Sequence, residues 1–193
     1  MNNHLRLKAK KIVITGGPST GKTAVIEQLE KEGYHCLHEV IRSMTSEEKN
    51  QEVKLKIVSN PIVSVSNPKQ FNLQILQARV EQFKTAQKAR SEMVFFDRGI
   101  PDVLAYMDCF KQTYDAIFSN ACKNHRYDKI FLMPPWEEIH TTDKERYESF
   151  EESVQIHNCL KNSYVQHAYD VTTVPKGTIN ERIAFIIEQV NAS

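Results

Sequence analysis

The sequence predicts an α/β fold with a doubly wound parallel sheet. Two observations carry that expectation. Five short apolar runs without a helical period alternate with segments of helical spacing, and the first run breaks into a glycine-rich loop that opens a helix. The runs are residues 11–15, 35–38, 93–96, 129–133 and 170–174. Each has the length of a strand, and a continuous apolar run suits a strand covered on both faces. Strands that alternate with helices place the helices on the two sides of the sheet.

The helices follow in order. Residues 23–31 form the first, closed by Gly33 as its C-terminal cap. Asn67 and Pro68 open a long helix, with proline at its first position. Its Leu73, Leu76, Val80 and Phe83 recur at steps of three, four and three, which gives one apolar stripe. Residues 101–110 and 150–165 are further helices. In the last, Thr178 and Glu181 have capping-box spacing ahead of Ile183, Phe185, Ile186, Ile187 and Val190. The segment 43–67 is charged, then β-branched, then polar, and reads as a mobile helical insertion beside the active site.

Composition bounds the rest. The 193 residues, 40% hydrophobic and 25% charged, make one globular domain that buries roughly 70% of its unfolded surface. Twenty-five basic residues face twenty-four acidic ones, which is not the electrostatic footprint of a nucleic-acid binder. Arg6, Lys8, Lys10 and Lys11 read as a solvated arm before the first strand. Cys36, Cys109, Cys122 and Cys159 lie far apart without a C-x-x-C pair, so reduced thiols of a cytosolic protein are expected rather than a zinc site or disulfides. The seven histidines show no metal-ligand spacing. No signal peptide precedes the first strand, and no apolar run approaches the ~18 residues of a membrane span. A cytoplasmic monomer or homodimer, with neither membrane nor nucleic-acid partner, is expected.

Gly16, Gly17, Pro18, Ser19, Thr20, Gly21, Lys22 and Thr23 match G-x-x-x-x-G-K-[ST] at every fixed position. Glycines let the backbone turn its N–H groups toward phosphate oxygens, and the helix that starts there adds partial positive charge. Lys22 can reach the β- and γ-phosphates, and the Thr23 hydroxyl can ligate Mg²⁺. A strand before and a helix after supply the context that the pattern needs. The loop is therefore expected to hold a nucleoside triphosphate.

The run "MVFFDRG" is an apolar strand that ends in Asp97. An acid there either holds Mg²⁺, directly or through water, or caps a turn. Arg98 either clamps an anionic substrate and stabilises transferring charge, or forms a surface salt bridge. Asp102 and Tyr106 share one face of the next helix, as part of an acceptor pocket or as a cap and a core tyrosine. After the second strand come Glu39 and Arg42. Glu39 lies where ligands bind in open α/β sheets, and its carboxylate can take a proton from an acceptor hydroxyl or fix it by hydrogen bonds. An exposed Glu39–Arg42 pair is the alternative. Residues 137–150 read as a lid with Arg146 as its arginine and Lys144 as competitor, against a solvated charge run. Trp136 either stacks on a base or fills a loop.

On the motifs "GGPSTGKT", "HEVIR", "FFDRGIPDVLAY", "DKERYES" and "VPKGTINERIAFI", the chain resembles the small P-loop ATPase/kinase family that includes the ribosylnicotinamide kinase domain of the bifunctional NAD regulator, within the AAA-type ATPase domain family. "DRGIPDVLAY" is also similar to the Asp-Arg motif of thymidylate kinase, where the aspartate serves the metal and the arginine holds substrate. The resemblance implies a three-layer P-loop NTPase fold with sheet order 2-3-1-4-5 and the strand of Asp97 beside the P-loop strand. It also places the turn 175–178 near the adenine.

These readings converge on an ATP- and Mg²⁺-dependent small-molecule kinase that transfers the γ-phosphoryl group to an acceptor hydroxyl. Lys22, Glu39, Asp97, Arg98 and Arg146 would carry the reaction, Thr23 and Asp97 would hold the metal, and Glu39 or Asp97 would take the proton. The rivals are an ATPase or ATP-sensing regulatory module without a small acceptor and, against the charge balance, a nucleic-acid end kinase.

Overall fold

A computed structural model describes residues 9–41, 67–140 and 149–192. Strands β1 (Lys10–Gly16), β2 (His35–Leu37), β3 (Met93–Asp97), β4 (Lys129–Met133) and β5 (Val171–Thr173) pair in parallel in the order β2-β3-β1-β4-β5. The described helices are α1 (Lys22–Lys31), α2 (Pro68–Ala86), α3 (Ile100–Cys109), α4 (Ala116–Asn124), α5 (Phe150–Gln166) and α6 (Ile179–Asn191).

Alternation along the strands divides the core into two layers. Ile12 and Ile14 of β1, with Phe95 of β3, face α1 and α6 through Val25, Ile26, Leu29, Ile183, Ile186 and Val190. Val13, Val94 and Phe96 point to the opposite side, against Phe71, Leu76 and Phe83 of α2 and Leu104 of α3. Successive strand side chains face opposite ways, so a strand covered by helices on both sides is apolar at every position. That is why β1 reads as an unbroken run.

Local chemistry sets the helix ends. Gly33 is left-handed (φ 92), its N–H donates to the Glu30 carbonyl, and Tyr34 N–H donates to the Leu29 carbonyl. These two bonds are a Schellman closure of α1. The Asn67 side chain accepts the Gln70 amide at the start of α2. Capping boxes of Ser149 with Glu152 and of Thr178 with Glu181 start α5 and α6.

Several expectations need correction. Lys10 and Lys11 belong to β1 rather than to a solvated arm, and Lys11 is buried with its Nζ 3.4 Å from Asp128. Helix α4 has no counterpart in the sequence reading. The buried face of α2 includes Asn72 and Arg79, while Leu73 and Val80 are only partly covered. Cys109 and Cys159, distant in sequence, meet through a thiol hydrogen bond between α3 and α5, and all four cysteines are free. Arg6, Lys8, Arg42, Lys144 and Arg146 lie outside the described residues, as do the insertion 43–67 up to Ser66 and the lid segment 141–148. No described helix is long and apolar enough to cross a membrane.

Candidate functional site

After β3 the chain crosses back over β1 to β4, so the strand order switches direction between β1 and β3. Ligands of open α/β sheets bind outside the carboxyl ends of strands at such a point. Here β1 runs into the loop 16–21 and β3 ends in Asp97, which is paired with Ile14.

Gly21 precedes α1 in the left-handed region (φ 80), Ser19 is also left-handed (φ 55), and no side-chain hydrogen bond caps the helix. A curled loop and a helix start without a side-chain acceptor form a backbone anion cradle. Lys22 folds over it, with its Nζ donating to the Gly17 carbonyl at 2.7 Å and lying 3.3 Å from Thr20 Oγ1. Burial, and then the positive charge of Arg98, pull the Lys22 pKa down to about 7 despite Asp97, Asp102 and Glu39. A buried lysine shifted in this sense is suited to an anionic phosphate that restores its charge. Thr23, in the first turn of α1, and Asp97, buried at the end of β3, are the oxygen donors that fit Mg²⁺.

Two helices clamp the loop. Ser153 of α5 donates to the Pro18 carbonyl at 3.0 Å. Arg182 of α6 donates to the Thr20 carbonyl at 3.0 Å, and its guanidinium lies 5.5 Å from the Trp136 ring centre. Lys176 of the β5–α6 turn reaches Glu138 at 3.9 Å. Arg182, with Trp136 beside it, thus borders one side of the loop.

On the other side, four charges close a ring. Glu39 Oε1 lies 3.0 Å from Arg79 Nη2, Arg79 Nη1 3.9 Å from Asp102 Oδ2, Asp102 Oδ1 3.2 Å from Arg98 Nη1, and Arg98 Nε 2.7 Å from Glu39 Oε2. Side-chain exposure falls from 13% at Arg98 and 11% at Glu39 to 4% at Arg79 and 1% at Asp102, so two members face outward and two are buried. Asp102 also accepts from Thr15 Oγ1 at 2.6 Å, from Gly99 N–H at 3.0 Å and from the Tyr164 hydroxyl. Burial disfavours its charge, yet Arg79, Arg98 and the two hydroxyls hold its pKa below the ordinary value. Burial likewise opposes the charge of Arg98, but Tyr106, Glu39, Asp102 and Asp97 outweigh it and raise its pKa well above the usual value. Arg98 is left-handed (φ 73), a conformation that costs a bulky residue about 1–3 kcal/mol unless its surroundings enforce it.

The structure therefore brings together Lys22, Glu39, Asp97 and Arg98. Asp102 is a cap and a buried hub. Tyr106 packs beneath Arg98, its ring centre 5.3 Å from the guanidinium carbon. The sequence reading did not select Arg79 or Arg182. Each occupies a core spacing, Arg79 between Leu76 and Phe83 and Arg182 one helical turn before Ile186. A charge on an apolar stripe was the available signal.

The family model described as "AAA domain" matches residues 11–182. The chain belongs to this AAA domain family. No curated protein matches it in sequence. Among solved structures, the AAA domain is similar to the NadR protein in complex with NR, with TM-score 0.70 and 16% identity over 97% of this chain and 52% of that one. It thus spans about half the length of that relative. It is also similar to deoxyadenosine kinase from M. mycoides (TM-score 0.63, 16% identity, 95% of this chain and 100% of that one) and to thymidylate kinase from Ehrlichia chaffeensis (TM-score 0.61, 14% identity, 95% and 99%). At these identities the likeness establishes a P-loop kinase fold for the AAA domain, in agreement with its observed strand order.

Proposed function

We propose that the chain is a small-molecule kinase that moves the γ-phosphoryl group of ATP to an acceptor hydroxyl. The observation that carries this reading is the convergence of Lys22 with Glu39, Asp97 and Arg98 around the ends of three neighbouring strands. Two of the similar structures are named as kinases, deoxyadenosine kinase and thymidylate kinase, which agrees with it.

The loop 16–23 binds the triphosphate through its backbone amides and Lys22. Thr23 and Asp97 would hold Mg²⁺, which would supply positive charge to neutralise the phosphate oxygens. The acceptor hydroxyl lies over the ends of β2 and β3, oriented by Glu39 and Arg98. Its oxygen bonds to the γ-phosphorus as the bond to the β-phosphate oxygen breaks, and Glu39 or Asp97 takes the proton. The base rests between Trp136 and the turn 175–178. Arg146 is assigned to the lid on sequence grounds alone. We place the protein in the cytoplasm.

The test is ATP consumption, with mass detection of phosphorylated product, across nucleosides, vitamins and sugars. Slow basal hydrolysis should accelerate with the correct acceptor, and Glu39→Gln should lose that stimulation. If no compound is phosphorylated and Glu39→Gln hydrolyses ATP like the parent protein, an ATPase or ATP-sensing module takes the place of this reading.

A further inference from the structure

The ring of Glu39, Arg79, Asp102 and Arg98 is electrically closed. Each guanidinium touches two carboxylates and each carboxylate touches two guanidiniums. Arginine at a substrate-facing position is commonly read as an anion clamp, because its fork matches phosphate. Here two of its three nitrogens are already engaged. Nε is held at 2.7 Å by one carboxylate and Nη1 at 3.2 Å by the other, so an arriving anion meets two negative groups at contact distance from the cation it seeks.

Among the described residues the surrounding charges add no surplus. Lys22 feels Asp97, Asp102 and Glu39 on the negative side and Arg98 on the positive. Once Lys22 is committed to the triphosphate, the described groups near the acceptor are three carboxylates and two guanidiniums, and Asp97 is taken up by the metal. What remains is the neutral ring. Its outward pair, the Glu39 oxygen and the Arg98 nitrogen, offers an acceptor beside a donor. That is the complement of a hydroxyl or diol, which both gives and takes a hydrogen bond. A phosphate ester takes only, and would have to pull Arg98 away from both carboxylates in a largely buried setting, where breaking a charge pair is expensive.

Building on the kinase reading above, we infer that the acceptor is an uncharged hydroxyl compound, and that the closed Glu39–Arg79–Asp102–Arg98 ring excludes phosphorylated acceptors from this site. Arg79 and Asp102 act as positioning residues in this scheme. They hold Glu39 and Arg98 in their paired orientation without touching the acceptor.

The experiment uses anionic probes, inorganic phosphate and ribose 5-phosphate, with the P-loop filled by a non-hydrolysable ATP analogue and Mg²⁺. Binding is followed by calorimetry for the parent protein and for Glu39→Gln, whose fold is checked by circular dichroism. The parent should show no saturable binding. Removing one contact charge from Arg98 should make binding of the probes saturable, at least about tenfold tighter than the weakest binding that the parent measurement detects. Asp102→Asn opens the ring from the other carboxylate and should shift binding the same way, so the test survives if one variant fails to fold. Equal binding to parent and variants, or none to any of them, overturns the inference. Phosphorylation of a phosphate ester by the parent also overturns it while leaving the kinase reading intact. Absence of transfer to every neutral hydroxyl compound, together with the expected gain in anion binding, removes the kinase reading and leaves the exclusion by the ring standing.

Discussion

Glu39 and Arg98 stand two residues beyond the same rung of the sheet, where Leu37 of β2 pairs with Phe96 of β3, and their side chains meet at 2.7 Å. Parallel register therefore delivers the two groups side by side at the carboxyl end of the sheet. Arg98 has a left-handed backbone, and Asp102, four residues on in α3, catches its Nη1. Strand pairing, one unusual backbone angle and one helical turn are enough to build the outward half of the ring.

Arg98→Lys tests the fork. Lysine keeps the charge but presents a single point, so it cannot hold Glu39 and Asp102 together. Turnover with the acceptor should fall by roughly 10² as one directed donor is lost, with the KM for ATP little changed. Steady-state kinetics with each substrate varied in turn would show this, and an effect confined to the KM for ATP would move Arg98 to the nucleotide side.

Lys22 makes stability depend on pH in an unusual direction. Its folded pKa is near 7 against 10.5 for an ordinary lysine. Between these values the unfolded chain carries one more proton than the folded chain, so this group makes stability rise with pH across that window. Below about pH 7 both states are protonated and the destabilisation is complete. Lys22→Met should therefore stabilise the nucleotide-free protein, more at pH 6 than at pH 9, while abolishing ATP turnover. Urea unfolding at the two pH values checks the first part. A gain that is larger at pH 9 would rule out the depressed pKa.

Arg79→Met probes the buried half of the ring. The side chain is 4% exposed and lies between Glu39 and Asp102, with a further bond to the Gly99 carbonyl. Removing it leaves Glu39 and Asp102 with Arg98 as their one remaining guanidinium in a buried setting, and breaking a buried pair typically costs about 3–5 kcal/mol. Denaturant unfolding should show that loss, and Arg79→Lys should recover part of it. A destabilisation below about 1 kcal/mol, the range of exposed pairs, would mean that the ring contributes little to the fold.

Much of this architecture was legible in the sequence because one-dimensional spacing maps directly onto local structure. The strand–loop–helix of residues 10–31 is one such case, since glycines, lysine and threonine act through backbone they themselves shape. Asp97 and Arg98 were legible for a related reason, being adjacent in the chain at the end of an apolar run. Arg79 was not. It lies forty residues from Glu39, and its partners come from the segment after β2, from α3 and from the Gly99 turn, so only tertiary packing reveals it. Arg182 was hidden in the same way behind the capping box and apolar stripe of α6. Helix α4 was missed because its short sequence buries only Phe118, Ala121 and Cys122, too few positions to establish a period. Lys11 misled because a charged residue at the head of a strand looks solvated until Asp128 is found beside it.

The final prediction concerns Gly99, which follows Arg98 and is needed for space rather than for backbone freedom, since its φ of −116° is open to any residue. A Cβ at this position would lie 2.5 Å from the Tyr164 hydroxyl, 3.1 Å from Val13 Cγ2 and 3.2 Å from Tyr127 Cε2. Tyr164 is fully buried and its hydroxyl donates to Asp102, so the ring has no slack toward α5. Gly99→Ala should push the tyrosine off Asp102 and destabilise by about 1–3 kcal/mol through overpacking. Tyr164→Phe alone removes a donor from a buried carboxylate and should also destabilise, by about 1–3 kcal/mol. Together the two changes should be less than additive, because phenylalanine frees the space that the alanine methyl needs. A double-mutant cycle by urea unfolding measures this coupling, expected at about 0.5–3 kcal/mol for residues in contact. Additive losses would show that Tyr164 does not hold the turn carrying Arg98, and the Asp102 hub would then rest on Thr15 and the arginines alone.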